Sequence, residues 1–165
     1  HDVWAALRKV RDEPSGEGAE LARQARQRKL KLSCGGVVVD SGGRVLLRQV
    51  TRDYGGARWT FAKGRPDSDE DPEEAALREV KEETGYSVEL GPRLPGTFEG
   101  TTTLNCYWLM RPVGEPESFG WETAEVRWCH PDEARALIGQ SPSKKVQKRD
   151  LAVLDAALTL VEERP

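Results

Sequence analysis

The chain has 165 residues, 37% of them hydrophobic and 32% charged, a balance that suits one soluble globular domain and leaves little room for a second. No run approaches the roughly 20 apolar residues that a membrane span needs, and the net charge of −3 supplies no overall attraction for nucleic acid or any other polyanion. An anionic ligand must therefore be drawn by a local basic patch or by a bound cation. Cys34, Cys106 and Cys129 form no C-x-x-C pair and are odd in number, so the expectation is a reduced, cytoplasmic chain in which they pack as small apolar residues.

Residues 1–31 differ from the rest. Trp4-Ala5-Ala6-Leu7 and a Pro14-Ser15-Gly16-Glu17-Gly18 break precede a basic, helix-like run from Glu20 to Lys31. They are expected to form an appended arm whose cations Arg23, Arg26, Arg28, Lys29 and Lys31 read as a solvated helix face, with a partner for the arm left open. The domain proper takes residues 32–165.

From Cys34 the pattern becomes β. Gly36-Val37-Val38-Val39, a Ser41-Gly42-Gly43 turn and Val45 to Val50 predict a hairpin. Further strands are expected over Arg58 to Ala62, Tyr86 to Leu90, Thr102 to Met110 and Ala124 to Cys129. Helices are expected over Pro72 to Thr84, Asp132 to Ile138 and Lys144 to Glu163. Hairpins mixed with helices give an α+β or mixed-sheet class.

The helix at Pro72 carries the chemistry. Asp71 caps it, Pro72 fits its first turn, Glu74 closes a capping box and Gly85 ends it. At about 100° per residue, Leu77, Val80 and Thr84, with Ala76 at the edge, form the stripe expected to meet the sheet. Glu79, Glu82 and Glu83 share another stripe, with Ala75 inside it. These carboxylates repel one another and lie where the helix dipole disfavours negative charge. A hard divalent cation such as Mg²⁺ relieves both problems, because it takes oxygen ligands and bridges carboxylates to phosphates.

Gly64, five residues, Glu70, seven residues and then Arg78-Glu79-Val80-Lys81-Glu82-Glu83-Thr84-Gly85-Tyr86 resembles the box of the Nudix hydrolase family, with Tyr86 where an aliphatic residue is usual. The resemblance implies an α/β/α sandwich with a mixed sheet over roughly Ser33 to Leu160, and Mg²⁺-dependent hydrolysis of a phosphoanhydride bond, with Mn²⁺ a substitute. Carried over by position, Glu79, Glu82 and Glu83 are the implied metal ligands, Glu70 a supporting one, Arg78 the residue that orients the carboxylates, and Gly64 the residue that lets the loop turn. The general base is left among Glu79, Glu82 and a later loop glutamate, Glu122 or Glu125.

Trp59-Thr60-Phe61-Ala62-Lys63-Gly64 is similar to the lead-in of members acting on diadenosine polyphosphates and on some diphosphoinositol or nucleoside polyphosphates, with Ala62 in place of a proline. Lys63 is then a candidate phosphate clamp, with Arg48, Arg52, Arg58 and Arg65 near it, and Lys144, Lys145, Lys148 and Arg149 a second basic cluster at a helix start. Tyr54, Phe98, Tyr107, Trp108 and Trp121 are candidate base platforms. The expected substrate is a phosphorylated small molecule, a dinucleoside polyphosphate such as diadenosine tetraphosphate before all others. ADP-ribose or a nucleotide sugar, a diphosphoinositol polyphosphate, an oxidised nucleoside triphosphate and a nucleotide-sensing role without catalysis are the alternatives.

Overall fold

The computed structural model describes residues 17–51 and 58–163. The readings made on Trp4 to Leu7, on the start of the Pro14 break, on Arg52 and on Tyr54 fall outside the described residues.

In chain order the elements are α1 (Glu17–Gln27), β1 (Lys31–Val38), β2 (Val45–Val50), β3 (Trp59–Thr60), β4 (Ala62–Gly64), α2 (Pro72–Thr84), β5 (Ser87–Arg93), β6 (Phe98–Glu99), β7 (Thr103–Val113), β8 (Thr123–Cys129), α3 (Pro131–Ile138) and α4 (Lys144–Glu162). One sheet runs β4-β1-β7-β5, with β6 also on β7; the other runs β3-β2-β8. β1 lies parallel to β7, Lys31 against Thr103 through Val38 against Met110, while β4 and β5 flank them antiparallel. The mixed α+β class is as the sequence implied.

The hairpin expected over Gly36 to Val50 does not form as a paired ribbon. Asp40 closes the turn, its carboxylate accepting from the Gly42 and Arg44 amides, but only Val39 bridges to Val45 before the strands part into different sheets. Val37, Val38 and Val39 are all buried, so the run carries no alternation that would select a face or a partner. The strand expected over Arg58 to Ala62 likewise divides at Phe61. Trp59–Thr60 pairs with β2, and Ala62–Gly64 crosses to β1.

Two apolar clusters fill the fold. In one, Val37, Tyr107 and Leu109 meet Val45, Leu47 and Phe61 and the inner faces of α3 and α4, at Leu137, Ile138, Val153 and Leu154. In the other, Cys34, Val38, Cys106 and Met110 meet Ala75, Ala76 and Val80 of α2 and Leu21 of α1. Leu21 and Ala25 are 2% and 3% exposed, so α1 is packed on the sheet rather than projecting from it. All three cysteines are unbridged and buried.

Candidate active site

Local signals in the sequence set α2 to the residue. The Asp71 carboxylate accepts from the Glu74 amide at 2.8 Å, the Glu74 carboxylate accepts from the Asp71 amide at 3.2 Å, and Gly85 ends the helix at φ 80°. The buried stripe is Ala75, Ala76, Val80 and Thr84, with Leu77 at its margin. Ala75, placed by sequence within the acidic stripe, is fully buried, so the helix is turned to bring Glu79 and Glu83 in against the sheet while Glu82 stays exposed.

Arg78 gathers the carboxylates. Its Nε and Nη2 donate to Glu70 at 2.6 and 2.8 Å, Nη1 donates to Glu79 at 2.7 Å and to Glu82 at 3.2 Å, and Nη2 also reaches the Arg65 carbonyl at 3.1 Å. The guanidinium holds the Glu70 carboxyl down at about 2, helped by the Asp67 backbone. Glu83 sits deeper. It accepts from the Lys63 amide at 3.2 Å and lies 3.5 Å from Arg48, yet burial and the neighbouring Glu79 carboxylate push it up to about 9.

Gly64 allows this approach. A Cβ there would fall 2.2 Å from the Glu79 carboxyl carbon. Its backbone is not left-handed, so the expectation that it serves a turn gives way to a simpler reason: the side chain of Glu79 occupies the space a Cβ would take. Because Glu79 ends in a flexible carboxylate that can move aside, Gly64→Ala is expected to leave the melting temperature nearly unchanged. It should lower kcat by roughly tenfold or more through misplacement of that carboxylate. Thermal melts and initial rates on the same preparation check both halves.

The end of α2 is stitched to the loop before β8. The Gly120 amide donates to the Glu82 carbonyl and the Glu117 amide to the Gly85 carbonyl, each at 2.8 Å, and Lys81 pairs with Glu117 at 3.0 Å. Arg48 holds the far side of the loop, donating to Thr123 Oγ1 at 2.8 Å and to the Glu122 carbonyl at 3.0 Å. Between helix and loop opens a cavity of about 270 Å³ lined by Glu79, Glu82, Glu83, Gly120, Trp121, Glu122 and Thr123.

The donor set suits a hard divalent cation: carboxylates from Glu79, Glu82, Glu83 and Glu122 line one cleft, and Glu83 resists ionising without added positive charge. Among the described residues no three such side chains stand ready as a closed cage. Arg78 accounts for this, since the oxygens of Glu70, Glu79 and Glu82 are turned toward its guanidinium.

The other predicted residues divide. Glu125 is held by Arg127 at 3.0 Å on an exposed stretch of β8 and does not line the cavity. Arg58 and Arg65 are exposed, and Lys144 and Lys145 point to solvent from the first turn of α4. Arg149 of the same cluster is instead turned inward, its side chain 7% exposed. Helix phase could have found it, because it stands three residues after buried Val146 and beside buried Asp150. Of the aromatics, Trp121 is 73% exposed on the cleft, whereas Tyr107 and Trp108 are core. Trp59 is buried with Arg127 stacked 4.8 Å from its ring centroid. Tyr86 meets Trp128 edge to face at 5.4 Å and accepts its indole N–H at 3.0 Å, which explains an aromatic at that box position.

Between the box helix and the loop before β8 the fold sets an acidic cleft. The family model of the NUDIX domain matches residues 29–151, and the chain belongs to the Nudix hydrolases, pyrophosphohydrolases that generally use a divalent metal. It is 36% identical over 111 residues to a MutT-like protein of Streptomyces ambofaciens, covering 66% of this chain and 70% of that one. It is 32% identical over 95 residues to a putative 8-oxo-dGTP diphosphatase of Bacillus subtilis, covering 56% and 62%. A Nudix hydrolase structure from Nitrosomonas europaea superposes with a TM-score of 0.63 at 22% identity, over 83% of this chain and 93% of the other, a likeness of fold.

Proposed function

We propose that the protein hydrolyses a phosphoanhydride bond of a nucleoside polyphosphate, with Mg²⁺ as the working ion and Mn²⁺ as a substitute. The observation that carries this reading is the cleft lined by Glu79, Glu82, Glu83 and Glu122 together with an exposed Trp121. A bound divalent ion supplies neutralisation of phosphate charge and acidification of water. The chain's own groups do the rest. Arg78 fixes the directions of Glu79 and Glu82; Glu122, carried on the loop across the cleft, takes the proton of the attacking water; Trp121 offers its face to a base. Glu70, closed on Arg78 by two bonds, acts through that arginine.

Within this substrate class, a dinucleoside polyphosphate is supported by the Trp59 to Gly64 lead-in, with Lys63 beside Glu83 as phosphate clamp. An oxidised purine nucleoside triphosphate is supported by the name of the Bacillus subtilis relative. The test is kcat/KM with Mg²⁺ on diadenosine tetraphosphate, 8-oxo-dGTP, ADP-ribose and a diphosphoinositol polyphosphate, with products resolved by chromatography. The expected result is a preference of at least about tenfold for one of the first two, and Trp121→Ala should raise its KM by a similar factor. A best rate on ADP-ribose or the inositol compound would replace this reading.

A further inference from the structure

By charge alone Arg48 belongs with the cations that could meet a phosphate, but its place in the fold gives it different work. On β2 it pairs with Val126 of β8, and its side chain is only 9% exposed. Just beyond it the register shifts. Gln49 pairs with Glu125 but Val50 with Thr123, so β8 carries one extra residue, Ala124. Residues paired across a sheet share a face, and Arg48, Val50 and Val126 therefore share theirs with Thr123. Without the extra residue, Ala124 would take that position and Thr123 would face the other way. The bulge is what brings the Thr123 hydroxyl to the Arg48 guanidinium.

All three guanidinium nitrogens are then in use. Nε donates to Thr123 Oγ1 at 2.8 Å, Nη2 donates to the Glu122 carbonyl at 3.0 Å, and Nη1 stands 3.5 Å from the Glu83 carboxylate. The Glu122 carbonyl also accepts from the Thr51 amide at 3.0 Å and the Thr51 hydroxyl at 3.3 Å, so donors from Arg48 and Thr51 converge on one backbone oxygen. Glu83 lines the cavity from α2, and Glu122 and Thr123 line it from the opposite side. One buried cation behind the cavity ties its two walls together. Arg48 itself does not line that cavity, and a phosphate would have to displace its partners to reach it.

We propose that Arg48 is a positioning residue for the reaction: it fixes the loop that carries Trp121 and Glu122 at a set distance from the box helix, and it touches no substrate. A planar fork faces Thr123, the Glu122 carbonyl and Glu83 at once, which the point charge of a lysine does not. The assignment rests on the reading that Glu122 and Trp121 act on a substrate, but half of its test needs no turnover.

Amide hydrogen exchange is followed by mass spectrometry on the full chain in EDTA, for wild type, Arg48→Met, Arg48→Lys, Thr123→Val and Arg44→Met. Arg44 is an exposed cation just before β2, paired with Asp40 at 2.8 Å, and its loss removes the same charge elsewhere. Peptides holding the Gly120 and Thr123 amides, which are bonded to the Glu82 and Gly120 carbonyls, report the loop. Peptides from β1 and β7 report the whole fold. Expected in Arg48→Met is loop exchange at least about tenfold faster, beyond any rise in β1 and β7, with a smaller rise in Thr123→Val, no rescue in Arg48→Lys and no change in Arg44→Met. On the best substrate, Arg48→Met should lower kcat by about tenfold or more on its own, and by less than about threefold once Glu122→Gln is present, because it acts through that residue. A phosphate contact would cost as much in either background and show in KM. Loop exchange rising no more than that of β1 and β7, full rescue by lysine, an equal effect of Arg44→Met, or a loss undiminished by Glu122→Gln would each overturn the assignment. Should Arg48→Met not fold, Thr123→Val, which removes one acceptor oxygen, decides by exchange alone. If exchange behaves as expected while no substrate is cleaved, Arg48 stands as the anchor of the loop and the substrate reading falls.

Discussion

Replacing Glu83 with glutamine is expected to move two measurements in opposite directions, raising the heat resistance of the metal-free protein while cutting Mg²⁺-supported turnover by roughly 10²–10³-fold. The reason is that Glu83 is an unfavourable residue until a cation arrives. Its side chain is 12% exposed, and burial together with Glu79 pushes its carboxyl up to about 9 from an ordinary 4.5. The folded protein therefore holds a proton that the unfolded chain releases between those two values. Stability from this site is complete below the unfolded value and drains away as pH rises through the folded one. Glutamine keeps an oxygen for the Lys63 amide and removes the titration. In EDTA, wild-type melting temperatures should fall from about pH 5 to pH 9 more steeply than those of Glu83→Gln. On adding Mg²⁺ the order should reverse, because only wild type gains the full stabilisation of a bound ion. Parallel melting curves in EDTA would mean that Glu79 and Arg48 already settle the charge of Glu83 between them, and the two-sided effect would be lost.

The site was legible where its signals are local. Cap, capping box, carboxylate spacing and terminal glycine all lie within one helix and its flanks, so Asp71 to Gly85 folds as its sequence states. What failed depended on contacts distant in sequence. The run Gly36 to Val39 announces a strand, but its neighbour is β7, seventy residues on, and nothing in a uniformly apolar run says so. The basic cluster at the start of α4 shows the same limit in miniature. Lys144, Lys145, Lys148 and Arg149 are equivalent as charges, and only the phase of the helix against β7 turns Arg149 inward and leaves the lysines in water. Glu122 and Glu125 stood equal before a strand; the bonds from Gly120 and Glu117 to the end of α2 then bring the first into the cleft, while Arg127 holds the second away. Motif residues are found by spacing, whereas which of several equivalent charges is turned inward is found only by packing.

Arg78→Gln is the test of whether the carboxylates need an organiser as well as an ion. Arg78 makes five bonds with one planar group, to Glu70, Glu79, Glu82 and the Arg65 carbonyl. Its side chain is 27% exposed, so the loss is expected to be smaller than for a fully buried pair, about 2 kcal/mol by urea unfolding at neutral pH. kcat/KM should fall a further 10- to 100-fold, as when a group that aims metal ligands is lost. Lysine should not rescue it, since a point charge cannot face Glu70 with two parallel N–H groups and still reach Glu79. Acid supplies an independent readout. Arg78 and the Asp67 amide hold Glu70 near 2, below its ordinary 4.5, so the stability this carboxylate contributes is present above the unfolded value and lost as pH falls toward the folded one. In Arg78→Gln most of that contribution is already absent, and the difference between variant and wild type should shrink steadily from pH 5 to pH 2. A stability gap that stayed constant over that interval would place the damage in packing alone, and a normal kcat/KM would remove Arg78 from the arrangement of the site.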